Sequence, residues 1–302
     1  MALIFDIKRY AINDGPGIRI TLFMKGCPLS CVWCHNPEGI LSRKERLYTR
    51  KKCIGCQSCV EACQQHALSL TKEGIICDES RCILCGTCTE VCPTLAMEMS
   101  GREYTVDALI EEIVKETAFM DRSSGGVTFC GGEPLLHPEL LLELLKRCGK
   151  LGIHRVVDTS LFAKPTLVEE VARHTELFLI DLKLMDSAKH KLYCGVPNER
   201  ILGNLRQLAA SGADFFIRIP LIEGVNADEE NLTASACFLS SLQWQRKVVN
   251  LLPYHDIGKN KHEKLHSQYN PNGILMLPPT EATQQQAIAI FAAYGIKAVI
   301  GG

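Results

Sequence analysis

The stretch "GCPLSCVWCHNPEG", residues 26–39, sets three cysteines, Cys27, Cys31 and Cys34, in the spacing C-x3-C-x2-C. A closed structural metal site normally takes four protein ligands. The next cysteine along the chain is Cys53. Either a distant residue completes the set, or one coordination position stays open for chemistry. An open position is what separates catalytic metal sites from structural ones.

The 302-residue chain is 46% apolar and carries a net charge of −1. It can bury a substantial core, and no basic field points to a nucleic-acid partner. The opening "MALIFDIKRYAINDGPG" has neither a long apolar run nor a small-residue cleavage site, so no secretory signal is expected. No uncharged apolar stretch approaches the roughly 20 residues of a membrane span. These features predict a cytoplasmic protein with no membrane partner. Thiols stay reduced there, so the sixteen cysteines read as metal or cluster ligands rather than disulfides.

Twelve of the sixteen cysteines fall between Cys27 and Cys92, and the chain divides accordingly into 1–47, a cysteine-dense insert at 48–100, and 101–302. Outside the insert, strand-like runs alternate with helical patterns. The strands expected are "RITLFMKG", "GVTFCGG", "HRVVDTS", "LFLIDLK", "DFFIRIPLI" and "KVVNLLPY". Helices are expected near 105–120, 138–150, 165–174, 200–211, 229–242 and 281–294. Strand-then-helix repetition implies an α/β fold with parallel strands and right-handed crossovers. Six such units predict a partial (β/α)6 barrel, with a six-stranded open sheet as the competing architecture. In either, function sits at the C-terminal ends of the strands.

The insert contains an internal repeat. "CIGCQSCVEAC" and "CILCGTCTEVCP" share the spacing C-x2-C-x2-C-x3-C, which is the bacterial ferredoxin run. In two-cluster ferredoxins the fourth cysteine of each run ligates the other cluster. Cys53, Cys56, Cys59 and Cys92 would hold one 4Fe–4S cluster, and Cys82, Cys85, Cys88 and Cys63 the other. Zinc ribbons, the competing use of such cysteines, favour separated C-x2-C pairs. With both runs complete, the leading triplet has no obvious donor to borrow. The five other cysteines, Cys77, Cys130, Cys148, Cys194 and Cys237, are isolated.

With Trp33 in the aromatic slot, C-x3-C-x-aromatic-C resembles the radical S-adenosylmethionine (SAM) superfamily. That resemblance implies a radical SAM barrel, with SAM chelating the free iron of the catalytic cluster. "FCGGEPLL" looks like the superfamily's GGE motif. "NDGPGIRITLFMKGCPLSCVWCHNPE", "DTS", "DLKLMD", "YCGVPNERILGNL", "IRIPLIEGVN" and "LLPYHDIGKNK" follow the order seen in glycyl radical enzyme activating enzymes, similar to pyruvate formate-lyase activase. The two-cluster insert resembles the longer subgroup. The family likeness implies three 4Fe–4S clusters, SAM, and abstraction of one α-hydrogen from a glycine of a partner protein. It implies an electron donor such as flavodoxin or ferredoxin, and a monomer that docks transiently.

Carried over by residue, the likeness puts Cys27, Cys31 and Cys34 on the cluster. Trp33, His35, Gly131, Gly132, Glu133, Asp181, Leu182, Lys183, Arg218 and His255 would surround SAM, with Glu133 at its amino group and Lys183 counted as catalytic. Asp158, Thr159 and Asp181 could hold a monovalent cation. Asp14, Gly15, Pro16 and Gly17 would meet the partner's glycyl loop, although "DGPG" alone is also an ordinary turn. An iron–sulfur electron carrier and a radical SAM enzyme acting on a small molecule are the alternatives. The partner itself stays open among pyruvate formate-lyase, glycerol or hydroxyproline dehydratase, choline lyase and arylacetate decarboxylase.

Overall fold

A computed structural model describes residues 2–301. Its strands are β1 (Ala2–Ala11), β2 (Arg19–Met24), β3 (Glu45–Tyr48), β4 (Leu68–Thr71), β5 (Gly74–Cys77), β6 (Met97–Ser100), β7 (Arg102–Tyr104), β8 (Gly126–Gly131), β9 (His154–Thr159), β10 (Leu177–Asp181), β11 (Phe215–Leu221), β12 (Val248–Pro253) and β13 (Lys297–Ile300). Nine of them form one sheet in the order β13-β12-β11-β10-β9-β8-β2-β1-β7. β2 and β8 to β13 run parallel, while β1 is antiparallel to both β2 and β7.

All six expected strands are present, in chain order across the sheet. Two features differ from the six-unit barrel. A seventh parallel strand, β13, extends one edge, and β1 with β7 extends the other. The sheet is therefore open, with β7 and β13 at its edges. β13 is four residues long and alternates exposed with half-buried positions, so it carries little apolar signal. The expected helix at 105–120 divides into Val106–Val114 and Thr117–Ser123, and Ser187–Cys194 and Gly258–Lys264 are helices the sequence did not suggest.

The central strands are covered on both faces. β8 is buried at every position but its last, as parallel strands flanked by helices must be. Ile20, Leu22, Met24, Phe129, Phe178, Ile180, Phe215 and Ile217 are fully buried in one core. Each such side chain contributes about 1.5–3 kcal/mol relative to exposure. Helix Pro138–Lys150 buries Leu141, Leu144, Leu145 and Cys148 against it, the helical stripe its spacing predicts. The polar ends of the strands are left facing one cleft.

β3 pairs with β6 from Glu45↔Ser100 to Tyr48↔Met97 and forms a neck at the foot of the cysteine-dense insert segment. Its repeat extends to the backbone. Left-handed residues recur at matching positions as Gly55 and Leu84, Gln57 and Gly86, and His66 and Leu95. The short helices Ser58–Glu61 and Thr87–Glu90 follow the second of these. Cys63 Sγ accepts from Ala67 N at 3.4 Å and Cys92 Sγ from Ala96 N at 3.2 Å, again in register. No helix among the described residues is long and apolar enough to cross a membrane.

Candidate functional site

The cysteine loop leaves β2 through Lys25 and Gly26. Gly26 N donates to Gly39 O at 2.8 Å and Cys27 N to Ile40 O at 2.9 Å, so the loop closes on itself. Its far side is tied to helix Ser187–Cys194, where Ser30 N meets Cys194 O at 2.9 Å and Val32 N meets Tyr193 O at 3.0 Å. Leu29 and Trp33 pack into a second apolar cluster with Leu184, Cys194, Ile222, Val225 and Tyr254.

Cys27, Cys31 and Cys34 all line a cleft of about 1610 Å³, its open mouth included. The cleft runs over the C-terminal ends of the parallel strands. Gly131, Gly132, Asp158, Thr159, Asp181, Lys183 and Arg218 line it, as do Trp33, His35 and His255. Asp14 reaches it from the loop between β1 and β2. Most of the residues singled out from sequence thus meet in one place.

Apart from the insert cysteines, five of them do not line the cleft: Gly15, Pro16 and Gly17 beyond Asp14, and Glu133 and Leu182. The Glu133 carboxylate is 1% exposed. Its Oε1 accepts from Thr159 Oγ1 (2.7 Å) and Leu135 N (3.1 Å), and its Oε2 from Ser160 N (2.9 Å) and Ser160 Oγ (2.6 Å). Burial nonetheless raises its pKa, the four hydrogen bonds opposing the shift. Glu133 therefore braces the end of β9 from behind the wall. Leu182 is 2% exposed and belongs to the core; its backbone N bonds Arg218 O at 2.9 Å.

The glycines of the GGE turn are required by the cysteine loop itself. Gly131 has φ +115°, and a Cβ there would stand 2.3 Å from Met24 N. A Cβ on Gly132 would stand 2.1 Å from Gly26 O and 2.4 Å from Gly39 O. The close approach is between two pieces of this chain, and it fixes the loop against the end of β8.

The cleft floor is a compact charge network. Arg218 Nη2 bonds Asp158 Oδ1 and, at 2.9 Å, Asp181 Oδ1; its Nε reaches the same oxygen at 3.0 Å. Lys183 Nζ bonds Asp181 Oδ2 at 3.0 Å. Burial would raise the Asp181 pKa, but Arg218 and Lys183 outweigh it and hold the carboxyl at about 2. Asp158 goes the other way, because burial outweighs Arg218. For Lys183, burial is overcome by Asp181 and the Cys31 and Cys194 sulfurs, and its pKa rises.

Residues the sequence reading passed over position this network. Asn226 is fully buried; Nδ2 donates to Lys183 O (2.9 Å) and Pro220 O (2.6 Å), and Oδ1 accepts from Ile222 N (2.9 Å). Asn231 Oδ1 accepts from Met185 N at 2.9 Å, and Asn198 Nδ2 donates to Leu184 O and Met185 O. Three buried asparagines thus fix the turn that carries Lys183. They stand in "YCGVPN", "EGVN" and "EENL", and only the bonding of their neighbours gives them a role.

The "DGPG" loop is equally fixed. Arg19, 1% exposed, donates to Pro16 O (2.8 Å), Thr128 Oγ1 (2.8 Å) and Val127 O (2.7 Å). Asp14 accepts from Thr21 Oγ1 at 2.7 Å. On the opposite side His35 stacks on His255 at 4.3 Å, with Nε2 bonded to His255 O at 3.0 Å. Burial, then the His255 ring, lowers the His35 pKa.

The cysteines suit an iron–sulfur cluster by donor chemistry. Three sulfurs share one loop whose surroundings are mostly apolar. Burial drives the Cys34 thiol up to about 12 and Cys27 also upward, while a hydrogen bond from Cys194 lowers Cys31. Among the described residues no three His, Cys, Asp or Glu converge as a single ion would need. A cubane asks for something different, since each of its cysteines reaches a separate iron. In the insert, one small cavity is lined by Cys53, Cys56, Cys59 and Cys92, and another by Cys63, Cys82, Cys85 and Cys88. These are the two crossed sets.

A protein family described as a 4Fe-4S single cluster domain matches residues 13–192. The trans-4-hydroxy-L-proline dehydratase activating enzyme of Clostridioides difficile is 43% identical over 99% of this chain and 99% of its own length. The chain belongs to the glycyl radical enzyme activating enzymes. These are radical SAM oxidoreductases. The indoleacetate decarboxylase activating enzyme of Tractidigestivibacter scatoligenes is 37% identical over 99% of this chain and 97% of that one. Among solved structures, a domain of the pyruvate-formate lyase-activating enzyme of Bacteroides vulgatus is 54% identical, with a TM-score of 0.51. It aligns with 59% of this activating enzyme and 99% of that domain.

Proposed function

We propose that this activating enzyme takes one α-hydrogen from a backbone glycine of its partner, using SAM bound at a cluster held by Cys27, Cys31 and Cys34. The observation that carries this is the common cleft: three thiols, the part-buried cations Lys183 and Arg218, and Asp14 at the start of the "DGPG" loop share one opening. When bound, the reduced cluster and SAM supply a 5′-deoxyadenosyl radical, the acceptor of the hydrogen atom.

The chain's own residues bind, orient and exclude water. Lys183 and Arg218 present cationic donors to an anionic group of the cofactor. Gly131 and Gly132 offer backbone without side-chain obstruction. Trp33, Tyr254 and the His35–His255 stack wall the cleft and keep water from a reactive intermediate. Asp14 to Gly17 meet the partner loop, and the Arg19 bonds keep that surface rigid.

In this reading residues 48–100 form a unit carrying two further 4Fe–4S clusters, on Cys53, Cys56, Cys59 and Cys92 and on Cys82, Cys85, Cys88 and Cys63. The two cavities support that pairing. The clusters relay an electron from a flavodoxin or ferredoxin in the cytoplasm. Contacts from the insert toward the catalytic side favour a relay over a docking role. Tyr48, which lines the first cavity, stacks on His266 at 5.9 Å, and Tyr269 bonds Tyr254 of the cleft at 2.6 Å. The protein acts as a monomer that docks transiently.

The test is electron paramagnetic resonance (EPR) of candidate partners after anaerobic incubation with this protein, SAM and a reductant. A doublet from a glycine-centred radical is expected with the true partner. SAM cleavage without a radical on any candidate would favour a small-molecule substrate. No cleavage at all would leave an electron carrier.

A further inference from the structure

The family likeness gives Asp158, Thr159 and Asp181 to a monovalent cation, yet the space between the two carboxylates is taken. Arg218 Nη2 bridges Asp158 Oδ1 and Asp181 Oδ1, and Nε holds the latter at 3.0 Å. Lys183 Nζ takes Asp181 Oδ2 at 3.0 Å. The third oxygen is turned into the wall: Thr159 Oγ1 donates to Glu133 Oε1 at 2.7 Å and accepts from Leu161 N at 2.9 Å.

We infer that this chain neutralises the carboxylate pair with its own guanidinium and binds no monovalent cation there. The charges already balance, Asp158 and Asp181 against Arg218 and Lys183. A further cation would sit in direct contact with a guanidinium in a partly buried site, where repulsion is poorly screened. A hard cation also needs several oxygens at once, and among the described residues Asp158 Oδ2 alone of the five in this set has no hydrogen-bond partner. The arrangement follows from strand register, because Asp181 pairs directly with Arg218 on the neighbouring strand. Arg218 Nη1 makes no hydrogen bond among the described residues, although Arg218 lines the cleft. Those donors remain for an anionic group of the ligand. The SAM carboxylate is such a group, and here the inference rests on the function proposed above.

The experiment has two arms, each run in potassium, sodium and tetramethylammonium chloride at equal ionic strength. The first is thermal melting of the anaerobically reconstituted enzyme. Wild-type protein should melt at the same temperature in all three salts. Arg218→Ala strands two part-buried carboxylates beside one lysine, so its Tm should fall by roughly 6 °C, with part restored by potassium or sodium. Arg218→Lys keeps the charge, should be insensitive to the choice of salt, and decides the matter if the alanine variant fails to fold. The second arm is SAM affinity of reconstituted enzyme. Wild-type Kd should change by less than about twofold among the salts. A wild-type Kd that weakens by about tenfold or more in tetramethylammonium would overturn the inference, as would a wild-type Tm that needs potassium or sodium. If wild-type protein binds SAM in no salt, the proposed function fails, while the melting arm still decides the cation question.

Discussion

Replacing Lys25 with Met tests how the cysteine loop is anchored. The Lys25 ammonium is fully buried and donates to Glu38 O (2.6 Å), Glu45 Oε2 (2.8 Å) and Ser100 Oγ (3.4 Å). Those acceptors lie in the cysteine loop and on the two strands of the insert's neck. One side chain therefore joins β2, the loop and the insert. Met keeps the length and the apolar stem but deletes the charge and its donors. Two short charge-assisted bonds of about 1.5–3 kcal/mol each disappear, together with the longer one to Ser100 Oγ. Breaking a buried ion pair from one side costs about 3–5 kcal/mol. The Glu45 side chain is 17% exposed, so water can partly re-solvate it and the lower end applies. The expected loss is about 3 kcal/mol, or roughly 6 °C in Tm for a chain of this size. Thermal melting of the reduced, cluster-free protein reads it. Glu45→Gln should cost about 1 kcal/mol alone, and the double variant should cost clearly less than the sum. A Lys25→Met shift below about 2 °C, or strict additivity, would refute the bolt-like role.

Gly132→Ala forces a methyl to within 2.1 Å of Gly26 O, so it should destabilise the chain by about 2–3 kcal/mol and weaken SAM binding; unchanged binding would show that the loop tolerates displacement. Combined Cys56→Ser and Cys85→Ser should slow reduction of the catalytic cluster by a protein donor, and stopped-flow reduction at the normal rate would exclude the relay. Asp181, with its pKa lowered from 3.8 to about 2, adds stability that is complete above about pH 4 and lost as pH falls through 2. Acid titration of the fold should therefore lose about 2 kcal/mol of its pH dependence in Asp181→Asn, and an unchanged acid limb would contradict the network.

How much could be read in advance follows from how each residue is used. β8 and β10 to β12 announced themselves because parallel central strands are largely apolar, and β9 by its buried Val156–Val157 pair. β13 did not, because an edge strand of four half-exposed residues has no such run. The two cysteine sets were legible because their spacing repeats along the chain, and each set lines its own small cavity. Asp158 and Lys183 were legible as polar residues near strand ends, and Arg218 as the one charge within the apolar run of β11. Glu133 and Leu182 share the same local pattern but face away from the cleft, and orientation within a turn is not encoded in residue type. Lys25 and the three asparagines gave no signal, because their importance lies in partners far along the chain. Lys25 meets Ser100, and Asn231 meets Met185.

The most direct test uses protein in which the eight insert cysteines are replaced by serine, so that only the leading triplet can ligate iron. After anaerobic reconstitution and reduction, EPR should show one 4Fe–4S signal from about four irons per chain, and adding SAM should change its g-values. A signal that SAM leaves untouched, or a site that takes zinc in preference to iron, would contradict the claim that these three cysteines leave one iron open to the cofactor.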